Sequence, residues 1–169
     1  MCHEFTQNSL SDCQLGRDIE EKGLVAILEM RHVETAQELR ACFALMQQLR
    51  PHLLDADEFV RQVEDMRSER YALLAVWEEG EPIALAGYRY QQNLIFGHFL
   101  YVDDLVVSTE KRSAGHGASL LHRLESLAQE AGCSRLVLDT GLNFALAQRF
   151  YFRQGMLSAS LGFSKVLGK

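Results

Sequence analysis

HFLYVDDLVVSTEKRSAGHGASLLHRLESLAQEAGCSRLVLDT, residues 98–140, is the stretch whose reading decides the fold. It reads as a long strand (98–108), a glycine-bearing loop, a helix (117–131) and a short apolar strand (135–140). Leu120, Leu124, Leu127 and Ala131 form one helical stripe, and Gly132 ends the helix. A strand, a helix and a second strand in this order require a parallel pair joined by a crossover.

Working outward, residues 71–79 and 82–92 are two strand-like runs joined through EEGEP as a hairpin. Residues 24–33 are a β-type run. Residues 34–49 follow with Leu39, Phe43, Met46 and Leu49 at helical spacing, and Pro51 closes that helix. Asp55 opens the next helix as its N-cap, with Glu58 completing a capping box. Beyond the central stretch, residues 143–155 are helical from an Asn143 cap to Gly155, and 156–169 read as a terminal strand. The expected fold is therefore α/β, a mixed central sheet with helices on both faces. Residues 24–169 form one domain, and the polar segment 1–23 is an N-terminal extension.

A chain of 169 residues is long enough to bury a core as one domain. A net charge of −6 lacks the basic footprint of a nucleic-acid binder. No apolar run approaches the ~18 residues of a membrane span, and the polar N-terminus has no signal-peptide core. The four cysteines, Cys2, Cys13, Cys42 and Cys133, are scattered and show no metal spacing, which suits a reduced cytoplasmic setting. No metal is expected.

The loop EKRSAGHGAS (110–119) fails the Walker pattern, because Ala118 and Ser119 follow Gly117 where Lys and Ser/Thr are needed. It also lacks the third glycine of a dinucleotide fingerprint. What remains is R-x-x-G-x-G, Arg112 to Gly117, at a strand-to-helix junction. The first amides of such a helix lack internal partners and carry the positive end of its dipole. Glycine lets backbone approach an anion, and a pyrophosphate is a natural occupant. A plain helix start with two solvated bases is the competing reading.

Residues 102–156 resemble the acetyl-CoA-binding core of the GNAT N-acetyltransferase superfamily. The match is carried by an L-x-V strand (Leu105, Val106, Val107), the loop Arg112-x-x-Gly115-x-Gly117, the L-x-L-x-T strand at 136–140 and a helix with Asn143, Phe150, Tyr151 and Gly155. It departs from the pattern at Leu146, where the family's alanine falls one residue later, at Ala147. The resemblance implies a sheet whose central strands splay apart to bind acetyl-CoA, the acetyl donor. The amides of Arg112, Ser113, Ala114, Gly115, His116, Gly117 and Ala118 would hold the pyrophosphate. The backbone of Leu105 to Val107 would pair with the pantetheine arm like one more strand. Asn143 would touch that arm, cap its helix, or both.

The activity implied is N-acetyl transfer to a primary amine of a small molecule or peptide by direct attack on the thioester. Tyr151 would protonate the leaving thiolate, its alternative being a buried aromatic beside Phe150 and Phe152. A backbone amide near Val107 would polarise the carbonyl. For the general base, alternation places Tyr101, Asp103, Leu105 and Val107 on one strand face and Val102, Asp104 and Val106 on the other. The family's acceptor-facing leucine then favours Asp103 over Asp104, with His98 a third candidate. Asp103 reads equally as a carboxylate that orients backbone or attracts a cationic acceptor. LRPHLLDADEF (49–59) would form one wall of the acceptor site. The expected partners are that amine or peptide and a second copy in a homodimer, with neither nucleic acid nor membrane. The alternative function is a non-catalytic acyl-CoA-binding regulatory module on the same fold.

Overall fold

The computed structural model describes residues 27–168, so the extension at 1–23 and the start of the first β-type run lie outside the described residues. The chain runs β1 (Leu28–His32), α1 (Ala36–Leu49), α2 (Ala56–Arg67), β2 (Tyr71–Glu78), β3 (Glu81–Asn93), β4 (Gly97–Val107), a 3-10 turn (Thr109–Lys111), α3 (His116–Glu130), β5 (Leu136–Leu138) and α4 (Ala145–Arg153). The five strands lie in sequence order in one sheet. β1 to β4 are antiparallel, while β5 pairs parallel with β4 after the α3 crossover.

The apolar run of β2 is nearly continuous because both of its faces are covered. Tyr71, Leu73, Ala75 and Trp77 join the core beneath α1 and α2, with Leu39, Cys42, Met46, Phe59 and Val63. Leu74 and Val76 point the other way, toward Leu120, Leu124 and Ala128 of α3. The β2–β3 turn has positive φ at Glu79 (53°) and Gly80 (86°), as a I′ hairpin turn requires.

Three local expectations are corrected. The full capping box forms at Thr35, whose hydroxyl accepts from Glu38 N–H while Glu38 bonds back to the Thr35 amide. At Asp55 only the forward half forms, to Glu58 N–H at 2.8 Å, because the Glu58 carboxylate accepts from Gln62 instead. Thr35→Ala should therefore cost about 1 kcal/mol, read as a fall of a few degrees in Tm. The last helix starts at Ala145 with Phe144, not Asn143, at its N-cap, and without a side-chain cap. A tight turn takes the capping place there: Phe144 N–H donates to Gly141 O at 3.0 Å. Gln148 Nε2 donates to the Gly141 and Leu142 carbonyls, so those groups are satisfied before the helix begins.

The terminal strand expected over 156–169 does not form. Among the described residues the tail has no regular element, and Leu157, Phe163, Val166 and Leu167 are exposed. Its period-2 pattern is a property of the side chains. A strand also needs a neighbouring ladder for its backbone groups, and the edge strand β5 is only three residues long.

Candidate active site

β4 pairs with β5 only from Leu100 to Val102, although β4 itself continues to Val107. β5 ends at Leu138, opposite Val102, so from Asp103 onward one edge of β4 has no strand neighbour among the described residues. Ser108 N–H donates inward to Ile83 O at 2.9 Å. Because successive amides of a strand alternate edges, Val107 N–H and Leu105 N–H face the open side.

The glycine loop sits at the end of that edge. Gly115 is the N-cap of α3 at φ +88°, a left-handed conformation costly for any residue with a Cβ. Ser113 is also left-handed, at φ 69°. α3 has no side-chain cap, so the amides of His116, Gly117 and Ala118 lack intrahelical partners. Arg112, Ser113 and Ala114 are exposed. Lys111 turns aside and ion-pairs with Glu78. A Cβ at Gly117 would stand 3.3 Å from the Phe150 ring and 3.5 Å from Val107 Cγ2, so this glycine lets α3, α4 and β4 converge.

That convergence brings α4 to the open edge. Tyr151 is half-buried beside Phe150, with ring centroids 5.3 Å apart, and burial pushes its hydroxyl pKa upward. It therefore carries its proton at neutral pH, as an acid must. Asn143 is exposed, with Oδ1 over Gly141.

On the opposite sheet face a pocket of about 290 Å³ opens between α1, α2 and β4. The segment 49–59 contributes Arg50, His52, Leu53 and Phe59 to its wall. Asp103 and Asp104 both line it, which strict alternation forbids. The reason is a bulge: Gly87 pairs with Asp104 and the next residue, Tyr88, pairs with Val102, so Asp103 is an extra residue in β4. Val102 therefore shares a core with Leu105 and Val107, away from the pocket, and Val106 lies on the pocket side with Asp104. The alternation that grouped Asp103 with Leu105 is thus corrected.

The two carboxylates differ in what they hold. Asp104 Oδ1 accepts from Arg50 Nε and is paired with Arg50 Nη2, both at 2.8 Å, while Oδ2 accepts from Tyr71 Oη at 2.9 Å. Asp103 Oδ2 accepts from Arg89 Nε at 2.9 Å, and Arg89 also pairs with Glu69. Asp103 Oδ1 has no hydrogen-bond donor among the described residues. Burial raises the Asp103 pKa above the ordinary carboxylate value, against the opposing pull of Arg89. His98 lies at the far end of β4, with Nδ1 3.7 Å from Cys133 Sγ, and is not brought to the pocket.

The residues that sequence reading missed are Tyr71, Arg89 and Gly87. The Tyr71 phenol crosses Gly87 to reach Asp104: a Cβ on Gly87 would stand 2.6 Å from Tyr71 Cζ and 2.8 Å from Asp104 Oδ2. The one sequence signal was a glycine inside an otherwise continuous strand, which marks a bulge or a close approach. Among the described residues no group of three His, Cys, Asp or Glu is placed to hold a metal, and no helix is long and apolar enough to cross a membrane.

Known proteins share this frame. An uncharacterized N-acetyltransferase of Bacillus subtilis (strain 168), YhdJ, is 29% identical over 126 residues, 74% of this chain and 88% of that protein. A probable glucosamine 6-phosphate N-acetyltransferase 2 of Oryza sativa subsp. japonica is 30% identical over 125 residues, 70% of this chain and 66% of that protein. The aminoglycoside N-acetyltransferase AAC(6')-Iy in complex with CoA has the same fold, with a TM-score of 0.75 over 84% of this chain and 95% of that one at 15% identity. The model of the acetyltransferase (GNAT) family matches residues 33–156, from the end of β1 through the bulge, the glycine loop and α4. The chain belongs to that family, and it is an N-acetyltransferase.

Proposed function

We propose that the protein moves the acetyl group of acetyl-CoA directly to a primary amine of a small molecule or peptide, with Asp103 as general base and Tyr151 as general acid. The observation that carries this reading is that Asp103 lines the pocket and its Oδ1 has no hydrogen-bond donor among the described residues. The Val107 N–H, on the unpaired edge of the same strand, supplies a donor for the thioester oxygen. The loop 112–118 offers unpartnered amides to the CoA pyrophosphate, and exposed Asn143, in the turn before α4, is the group we assign to the cofactor arm.

In the reaction, the amine nitrogen forms a bond to the thioester carbon and gives a proton to Asp103. The carbon–sulfur bond breaks, and the thiolate takes the proton of Tyr151 Oη, leaving an N-acetyl amine and CoA; Asp103 then releases its proton to solvent and the Tyr151 phenolate takes one up, which restores both groups. No covalent acetyl-enzyme is needed. Burial pushes the Cys42 thiol up to about 12 and also raises Cys133, so neither supplies a thiolate at neutral pH.

Tyr151→Phe tests the acid role. Its kcat should fall about 10²-fold while acetyl-CoA affinity by calorimetry stays within a few-fold, since general acids contribute roughly 10²–10⁴. An unchanged kcat would remove Tyr151 from the mechanism. Incubation with acetyl-CoA alone should leave the intact protein mass unchanged, as direct attack requires.

A further inference from the structure

The acceptor pocket has an ordered polarity. Its floor is made by Met46, Phe59 and Val63, each no more than 3% exposed, with Leu53 and Met66 beside them. Its carboxylates stand on one side only, on β4. The exposed groups His52 and Gln62 stand at the mouth. The two lining carboxylates, Asp103 and Asp104, meet one lining guanidinium, Arg50, while Arg89 behind Asp103 is offset by Glu69, leaving one net negative charge at that end.

We infer that the acceptor is a primary amine carried on a short apolar body, an alkylamine or arylalkylamine, held with its nitrogen toward Asp103 and its apolar part against the α1–α2 floor. This inference rests on the transfer reading above. The pocket volume is about 290 Å³. That suits a compact acceptor and is at the low end for small-molecule sites.

Hydroxyl-rich acceptors fit this floor poorly. Its side chains are hydrocarbon and thioether, so a sugar hydroxyl placed there leaves its water partners without gaining equivalent ones. A phosphate fares no better at the polar end. Arg50 is already held by the Asp104 carboxylate and the Asp103 carbonyl, and Arg89 by Asp103 and Glu69. Both cations are neutralised before an anion arrives. A protonated amine, by contrast, meets net negative charge on approach.

The test is a homologous series, propylamine to hexylamine, in which amine reactivity is nearly constant and apolar length alone changes. Initial rates of CoA release should give a kcat/KM that rises about fourfold per added methylene, the factor given by ~0.8 kcal/mol per buried CH2. Glucosamine 6-phosphate and an aminoglycoside should fall at least about 100-fold below hexylamine. Val63→Thr, which places a hydroxyl in the floor at nearly constant volume, should flatten the series while acetyl-CoA still binds in calorimetry. Acetyl transfer with a flat series, or with the sugar amines equal to or better than hexylamine, overturns this inference and leaves the transfer reading standing. Failure to bind acetyl-CoA, or to acetylate any amine, overturns both.

Discussion

Asp103→Asn is expected to lower kcat/KM by about two orders of magnitude or more and to abolish the acid limb of its pH profile. Asparagine keeps the size of the side chain and can still meet Arg89, but it has no carboxylate to accept the amine proton. In the parent protein that limb should lie above the ordinary carboxylate range, because burial raises the Asp103 pKa more than Arg89 lowers it. The base works ionised, so activity falls as pH drops through that raised value. Stability carries the opposite sign. A carboxyl with a raised folded-state pKa contributes stability that is present below its unfolded value and lost as pH rises through the folded one. The activity limb and the stability change therefore run in opposite directions, and thermal melts recorded beside the rate profile separate them. If Asp103→Asn keeps both its rate and its acid limb, the base lies elsewhere.

Gly87→Ala should produce the largest loss of stability, about 2.5–6 kcal/mol. The added methyl would stand 2.6 Å from Tyr71 Cζ and 2.8 Å from Asp104 Oδ2, and the phenol cannot retreat because Tyr71 is only 4% exposed. Overpacking of this kind costs about 1–3 kcal/mol. Forcing the Tyr71 hydroxyl off the carboxylate adds about 1.5–3 kcal/mol, the range for bonds to charged groups. Urea unfolding at constant m reads the sum. Tyr71→Leu in the Gly87→Ala background should recover part of the loss, because the two substitutions share one contact and cannot add. A Gly87→Ala protein as stable as the parent would mean that Tyr71 does not cross Gly87.

Residues 98–140 were legible because their physics is local. Helical spacing from Leu120 to Leu124 and the glycine at each end of α3 do not depend on the rest of the chain. The bulge at Asp103 was hidden for the opposite reason. An extra residue in β4 changes no residue type, and its trace is a register against β3 that only pairing reveals. One inserted residue then reversed the alternation and put both aspartates in one pocket. Arg50 reaches Asp104 across 54 positions, a contact no periodicity encodes. The tail shows the limit from the other side: its alternation is genuine, but alternation becomes a strand only beside a free edge long enough to pair with it.

The most direct test of acetyl transfer mixes the protein with acetyl-CoA and hexylamine under single-turnover conditions and follows both products by mass spectrometry. N-acetylhexylamine and free CoA should appear together, in equal amounts and at one rate, with no acetylated protein at any time. CoA released ahead of the acetylated amine, with acetyl carried on the chain in between, would contradict direct attack. Acetyl-CoA recovered intact with hexylamine, and likewise with the sugar amines and a peptide amine, would contradict the proposed function itself.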